Sequence, residues 1–210
     1  QEMADFVDLS FELAFKYRNP AMILSDGLIG QMMEKVELPQ QKERVKEFDQ
    51  SWATTGKTKD RERNIITSLN LDPDLQYEHN LKLQAKYKSM EQDVMFEKIE
   101  CDDADYLLVA YGLSARICQK TIDMARHRGK KVGLLRPKTL FPFPTAELAK
   151  MSRRVKAMMA VELSAGQMVE DVRLAVNGKV PVYHYGMLGG KIHSPDDVLR
   201  EVEEKFLGGY

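Results

Sequence analysis

The chain has 210 residues, 43% of them hydrophobic and 30% charged, which is an ordinary globular balance with enough apolar material for a core. Its 31 Lys and Arg residues nearly cancel its 32 Asp and Glu residues, and the net charge of −1 excludes the basic footprint of a nucleic-acid-binding protein. No apolar run approaches the roughly 18 residues of a membrane helix, and no signal-peptide pattern opens the chain. The two cysteines favour a reducing, cytoplasmic setting and are too few to hold an iron–sulfur cluster unaided.

The first segment, residues 1–18, has the pattern of a helix with a narrow polar stripe and a wide apolar face, which neighbours normally cover on several sides. Asn19-Pro20 ends this helix. Residues 21–26 are then predicted to form a short buried strand and residues 28–36 a second helix. Because helix, strand and helix cannot enclose a core alone, we predict that residues 1–38 are the tail of a domain whose body lies upstream.

Residues 39–72 change in character, because charged and short polar residues dominate without a clean period; we predict a connector. Within it, Gly56-Lys57-Thr58 could close a phosphate-binding loop. That motif also needs a Gly where Ser51 stands, a buried strand before it and a helix that begins at the Lys. A charged stretch precedes it instead, so we predict that it is not an ATP site.

From residue 73 onward the pattern is typical of a packed domain. Residues 73–98 have helical spacing, and apolar strands then alternate with amphipathic helices. The predicted strands cover residues 105–112, 131–137, 156–163 and 180–187. This alternation predicts an α/β fold, a mostly parallel sheet flanked by helices. Met32-Met33 and Met158-Met159 are predicted core residues, and His184 is predicted to be a packed strand histidine.

Ligand loops of such a sheet gather at the carboxyl ends of its strands, and two loops there place small residues before a helix. The loop of Gly112 and Ser114 and the loop of Gly166 and Gln167 could each hold an anion on free backbone N–H groups. The alternative is that Ser114 and Ser164 only cap their helices, with Ser164 to Gln167 forming a capping box.

Two roles stay open for Glu162, which could balance a helix dipole or pair with Arg136 across neighbouring loops. Neither role is specific to a function. From the residues alone there is no self-sufficient catalytic constellation, which indicates a domain that works inside an assembly.

Seven stretches, in order along nearly the whole chain, resemble the alpha-type subunit of the 2-oxoacid:ferredoxin oxidoreductases, most closely the branched-chain (2-ketoisovalerate) kind. They are NPAMILSDGLIGQMME (19–34), WATTG (52–56), HNLKLQAKYKSM (79–90), ADYLLVAYGLSAR (104–116), GLLRPKTLFPFP (133–144), AVELSAGQMVEDVR (160–173) and YGMLGGKI (185–192). The resemblance implies that residues 1–38 end a thiamine-diphosphate pyrimidine-binding domain. It also implies that residues 39–72 are the connector and that residues 73–210 resemble the C-terminal domain of transketolase.

The resemblance further implies oxidative decarboxylation of a 2-oxo acid to acyl-CoA with reduction of ferredoxin, and the expected 2-oxo acid is 2-ketoisovalerate. Thiamine diphosphate and Mg²⁺ would act in the whole complex, and iron–sulfur clusters would lie on beta and gamma/delta-type partner subunits. The resemblance assigns no catalytic, cofactor-binding or metal-binding residue to this chain. Its role would be structural, and the chain would have no activity alone. Asp26, Gly112, Ser114, Arg136, Glu162, Gly166 and Gln167 are the candidate interface or anion-loop residues. The alternative function is a self-contained α/β module that binds a small anion or nucleotide.

Overall fold

The computed structural model describes residues 1–38 and 51–207, so part of the predicted connector, residues 39–50, lies outside the described residues. The chain divides into two compact units. The first contains Gln1–Ile23 and Glu34–Ser89, and the second contains Leu24–Met33 and Met90–Tyr210.

The first unit contains two helices, α1 at Glu2–Tyr17 and α2 at Pro73–Ser89. The prediction of a helix over residues 1–18 is therefore confirmed, and Arg18 ends it in the left-handed conformation. Asp72 caps α2, because its carboxylate accepts hydrogen bonds from the amides of Asp74 (2.9 Å) and Leu75 (3.3 Å).

The segment after α1 differs from the prediction. Residues 21–26 form no strand and residues 28–36 form no α-helix; the regular structure within residues 21–36 is a 3₁₀ turn at Ile29–Gln31. A short apolar run becomes a strand only when a neighbouring strand pairs with it, and none does so here among the described residues. Met32 and Met33 are 47% and 98% exposed, so the prediction that they are core residues was wrong.

The motif at Gly56-Lys57-Thr58 lies in irregular structure, and no helix begins at Lys57. Lys57 pairs with Glu62 at 2.7 Å, and the side chains of Arg61 and Asn64 donate hydrogen bonds to the carbonyl of Ser51. The lysine and the turn are thus engaged locally. The helix that a phosphate loop requires after its lysine is absent from the described residues, and the strand that it requires before the loop would fall on residues outside them.

The second unit is built on a five-stranded sheet of order β1-β3-β2-β4-β5, in which β1 is antiparallel to β3 and the other pairs are parallel. The strands are β1 (Phe96–Ile99), β2 (Tyr106–Val109), β3 (Val132–Pro137), β4 (Ala157–Glu162) and β5 (Val182–Gly186). The helices are α3 (Gly112–His127), α4 (Thr145–Met151), α5 (Met168–Val176) and α6 (Pro195–Val202). The predicted α/β sheet is confirmed, but β1 was missed inside the segment predicted to be helical.

The core lies on both faces of this sheet, because successive strand residues point to opposite faces. One cluster joins Leu108 and Met159 to α3 and α6, and the other joins Leu107 and Met158 to α4 and α5. Met158 and Met159 are both fully buried, as predicted. The helices therefore cover both faces and leave the carboxyl edge of the parallel strands as the place where loops meet.

Candidate functional site at the carboxyl edge of the sheet

The strand order reverses at β2, because β3 is added on one side of it and β4 on the other, while all four strands run parallel. In open α/β sheets, ligands bind outside the carboxyl ends of the strands at such a switch point. The loops after β2 and β4 lie at this position, and they contain most of the candidate interface or anion-loop residues that were predicted from the sequence.

Glu162, the last residue of β4, is the centre of one cluster and is only 3% exposed. Its Oε2 accepts hydrogen bonds from the hydroxyl of Ser164 (2.7 Å) and the amides of Gln167 (3.0 Å) and Met168 (3.1 Å). Its Oε1 accepts one from the amide of Val169 (3.1 Å). The carboxylate thus lies at the start of α5, where free N–H groups and the helix dipole stabilise a negative charge.

This arrangement corrects the predicted capping box. Gln167 precedes α5 and makes no side-chain cap hydrogen bond, and the Ser164 hydroxyl donates to Glu162 while accepting from the amide of Gly166 at 3.1 Å. Glu162 takes the helix amides because it lies at the end of a strand that is pinned in the sheet. Of the two roles left open for Glu162, the structure supports the balancing of a helix dipole and not the pairing with Arg136.

The charge of Glu162 is maintained by its hydrogen bonds. Burial by itself raises the pKa of this carboxyl, but the Ser164 hydroxyl and the three backbone amides outweigh burial and hold the pKa below its ordinary value. The same negative charge acts on Tyr111, whose pKa is raised mainly by burial and further by Glu162. The cluster is therefore anionic near neutral pH.

Two histidines adjoin this carboxyl group. His184 Nε2 lies 3.5 Å from Glu162 Oε1, and His193 Nε2 lies 3.2 Å from the Glu162 carbonyl oxygen. A bond to a carbonyl requires a proton on His193 Nε2, which leaves Nδ1 as an acceptor, and that buried atom has no hydrogen-bond partner among the described residues. Burial lowers the pKa of His193. His184 lies in β5 as predicted, but its approach to Glu162 was not visible in the sequence.

The close approach of the loops depends on glycine. A Cβ on Gly186 would collide with the Ser164 carbonyl oxygen and with the His184 ring, and Gly166 has a φ of +113°. Only glycine adopts both the spacing and the backbone conformation without strain. Gly166, a predicted loop residue, therefore lies in the Glu162 cluster, where its positive φ allows the loop to turn.

A second carboxylate lies at the start of α3. Asp26 Oδ2 accepts a hydrogen bond from the amide of Leu113 at 3.0 Å, although 87 residues separate them. Ser114 is buried within the helix and is not its N-cap, so the prediction that it caps α3 was wrong. The reason is that α3 begins earlier, at Gly112, and a distant carboxylate takes the free amide.

Arg136 does not pair with Glu162. Its Nε and Nη2 lie 2.9 Å and 2.6 Å from Glu97 Oε2. β1 pairs with β3 so that Glu97 lies opposite Arg136. The partner of Arg136 therefore comes from β1, a strand that the sequence analysis did not predict, and not from Glu162. The candidate residues thus separate into three places: Glu162 with Gly166 and Gln167, Asp26 with Gly112, and Arg136 with Glu97.

The arrangement favours internal support over chemistry on a bound molecule. The amides that were predicted to hold an anion at Leu113, Gln167, Met168 and Val169 already donate to the chain's own carboxylates. The Ser164 hydroxyl donates to a carboxylate and not to a histidine, so it lacks the base that would activate a nucleophile. Over residues 1–38 and 51–207, no three His, Cys, Asp or Glu side chains are grouped so that they could hold a metal ion.

In the same ranges, none of the helices has the combination of length and apolarity needed to cross a bilayer. The magnesium ion of a bound thiamine diphosphate requires oxygen ligands, and no cluster of three such acidic or histidine side chains among residues 1–38 and 51–207 offers them.

Comparison with known proteins gives two adjoining family matches. Residues 1–98 match the family described as "Pyruvate flavodoxin/ferredoxin oxidoreductase, thiamine diP-bdg", and residues 104–198 match "Pyruvate:ferredoxin oxidoreductase core domain II". Among curated proteins, the chain is 42% identical over 207 residues to the ketoisovalerate oxidoreductase subunit VorB of Methanothermobacter marburgensis, which covers 97% of the chain. It is 29% identical over 228 residues to the 2-oxoglutarate synthase subunit KorA of the same organism, which covers 96% of the chain.

The chain spans 57% of the length of that VorB subunit and 60% of the length of that KorA subunit. Among solved structures, it is similar to the 2-oxoglutarate:ferredoxin oxidoreductase from Magnetococcus marinus, with a TM-score of 0.54 and 21% identity. This match covers 65% of the chain and 24% of the solved one. At this identity the likeness concerns the fold alone.

Proposed function

This chain belongs to the 2-oxoacid:ferredoxin oxidoreductase family, and we propose that it forms part of an enzyme that oxidises 2-ketoisovalerate. In the proposed reaction the 2-oxo acid loses carbon dioxide, its acyl group is joined to the sulfur of coenzyme A, and the released electron pair reduces ferredoxin. Thiamine diphosphate supplies the carbanion-stabilising chemistry of such a reaction when it is bound.

The observation that carries the choice of substrate is the difference between two relatives. Identity is 42% to a ketoisovalerate oxidoreductase subunit and 29% to a 2-oxoglutarate synthase subunit, over nearly the whole chain in both cases. A branched apolar 2-oxo acid is therefore favoured over one with a second carboxylate.

We propose that residues 1–38 are the end of the pyrimidine-binding domain and that residues 73–210 form a domain like the C-terminal domain of transketolase. Residues 39–72 are the connector between these two domains. The two family matches, over residues 1–98 and 104–198, support a division into two modules. We also propose beta and gamma/delta-type partner subunits that carry the iron–sulfur clusters, and a cytoplasmic location.

Within this enzyme, we propose that this segment has a structural and assembly role and not a catalytic one. Two features support it: the buried carboxylate of Glu162 is fully engaged by its own loop, and the amide of Leu113 is engaged by Asp26. A group that holds two loops together is expected to affect stability and assembly before it affects the chemical step.

The test uses the complete enzyme complex, with a tag on this subunit, purified without oxygen. Coenzyme-A-dependent reduction of viologen is measured with 2-ketoisovalerate, pyruvate and 2-oxoglutarate as substrates, and copurifying iron is assayed. We expect iron-bearing partners and the highest kcat/KM with 2-ketoisovalerate. Highest activity with 2-oxoglutarate would contradict the substrate, and an iron-free solitary protein without activity would contradict the function as a whole.

A further inference from the structure

Ten residues of the N-terminal part of the chain belong to the C-terminal fold. Leu24–Met33 group with Met90–Tyr210, although the residues on both sides, up to Ile23 and from Glu34, group with the first unit. We call residues 24–33 the strap. It contains the 3₁₀ turn at Ile29–Gln31 and no other regular structure.

One carboxylate both shapes the strap and fixes it. Asp26 Oδ1 accepts a hydrogen bond from the amide of Ile29 at 2.8 Å, which closes the turn within the strap. Asp26 Oδ2 accepts one from the amide of Leu113 at 3.0 Å, at the start of α3. Among the hydrogen bonds described for residues 24–33, this is the one that joins the strap to the rest of its unit.

Little else holds the strap, since none of its residues is buried. Four of its large apolar side chains are 64% (Leu24), 41% (Leu28), 47% (Met32) and 98% (Met33) exposed, and Ile29 is half-buried. A segment with little apolar burial opens at a lower free energy than the core that it lies on. The hydrogen bond between Asp26 and Leu113 is therefore the main restraint on the strap.

The receiving side is shaped for this carboxylate. Gly112 has a φ of +55°, and a Cβ there would lie 2.9 Å from Asp26 Oδ2. Any larger residue would be strained and would press against the oxygen that bonds to Leu113. The start of α3 thus accepts Asp26 because residue 112 has no side chain.

The contact also joins the two family modules of the chain. Asp26 lies within residues 1–98, matched by the thiamine-binding family model, and Leu113 lies within residues 104–198, matched by core domain II. We propose that residues 24–33 act as a releasable strap on the start of α3, with Asp26 as its latch. Release uncovers the Leu113 amide and frees the strap from the second module, while the sheet stays folded.

Hydrogen exchange measured by mass spectrometry on the full-length protein tests this, with the variants Asp26→Ala and Asp26→Asn. We expect Asp26→Ala to speed exchange of peptides covering residues 24–33 and 112–116 roughly tenfold, as the loss of a hydrogen bond to a charged group implies. Asp26→Asn keeps an acceptor oxygen and should have a smaller effect. Peptides covering β4 should exchange at the wild-type rate in both variants.

Asp72→Ala is the matched control, since Asp72 also accepts a hydrogen bond from an amide at a helix start, but from Asp74, which is only two residues along the chain. It should speed exchange only near the start of α2. Gly112→Ala is a second route to release and should reproduce the pattern of Asp26→Ala. Unchanged exchange at residues 24–33 and 112–116 in Asp26→Ala would overturn the proposal, and so would equal acceleration in β4, because Asp26 would then support the whole fold.

Discussion

The two compact units differ most in how much they bury. In the second unit, strand residues such as Leu107, Leu108 and Met159 are completely buried, with helices on both faces of the sheet. In the first unit, none of the described residues is buried, and large apolar side chains on α1 remain open, with Phe11 64% and Phe15 53% exposed. Both units have apolar sequence patterns, so pattern alone does not make a core.

The difference has a simple physical cause. A parallel sheet gives every strand two faces, and each face receives a helix, so consecutive apolar residues are all covered. Two helices and irregular chain provide no such layer. An apolar face on a helix predicts where packing is possible, and the presence of a second surface decides whether it occurs.

The largest expected effect tests this difference directly with one residue type in both units. Leu108→Ala removes a fully buried side chain from β2 and should lower the free energy of unfolding by about 2–5 kcal/mol. Leu81→Ala, at a site 52% exposed on α2, should change it by less than about 0.5 kcal/mol. Urea denaturation of both variants measures the contrast, and equal losses would show that the first unit has a core of its own.

The next effect concerns the carboxylate at the start of α5. Glu162→Gln removes a charge-assisted acceptor and places an amide group against backbone N–H donors, so we expect a loss of about 2 kcal/mol in the free energy of unfolding. Glu203→Gln is the control, because Glu203 pairs with Arg128 at 2.7 Å near the surface and should cost less than about 1 kcal/mol. In the complete enzyme, unchanged kcat at a lowered melting temperature would agree with the architectural role, whereas a large loss of kcat at unchanged melting temperature would contradict it.

A smaller effect is expected at the start of α6, where Ser194 and Asp197 form a capping box. Ser194→Ala removes the hydroxyl that accepts from the Asp197 amide and should cost about 1 kcal/mol. Ser10→Ala serves as the comparison, since that hydroxyl donates to the carbonyl of Val7 within α1 and caps nothing. Thermal unfolding of the two variants should separate them, and similar melting temperatures would argue against the cap as a stabilising element.

Acid should weaken the Glu162 cluster in two steps. His193 has its pKa lowered by burial, so the unfolded chain takes up a proton that the folded ring resists, and stability declines as pH falls through the ordinary value of 6.5. Glu162 has its folded pKa below the ordinary 4.5, so its contribution is present above that pH and is lost as pH falls further. Urea titrations between pH 7.5 and 4 should show a shallower first decline in His193→Gln, and parallel curves for this variant and the wild type would count against the assignment.

The smallest effect on stability is expected on α1. Phe11→Ser removes an exposed aromatic ring and should change the free energy of unfolding by no more than about 0.5 kcal/mol. Phe206→Ser is the matched change in the second unit, where the ring is 8% exposed and stacks on Tyr106 at 4.8 Å between centroids, and it should cost several times as much. A comparable loss in both variants would mean that the exposed face of α1 is covered in solution.

Much of the second unit could be predicted from the sequence, because its strands are continuous apolar runs and its helices have clear ends. The prediction missed β1, whose residues Phe96–Ile99 include two charged side chains and form a strand only through pairing with β3. It also gave Ser114 and Ser164 as possible capping residues, since a sequence pattern registers only local spacing. Of the candidate residues, Glu162 and Gly166 meet in one cluster and Asp26 and Gly112 in another, while Arg136 lies apart with Glu97.

Local periodicity predicted the α/β class, the helix α1 and the four parallel strands, and ordered stretches of residues indicated the family. Which carboxylate reaches which amide depends instead on the tertiary fold. Asp26 and Leu113 are 87 residues apart, and Arg136 meets Glu97 through the register of two strands. Such pairings depend on where the sheet brings distant residues together, and helix-end amides bond to the acceptor that the fold places beside them, wherever it stands in the chain.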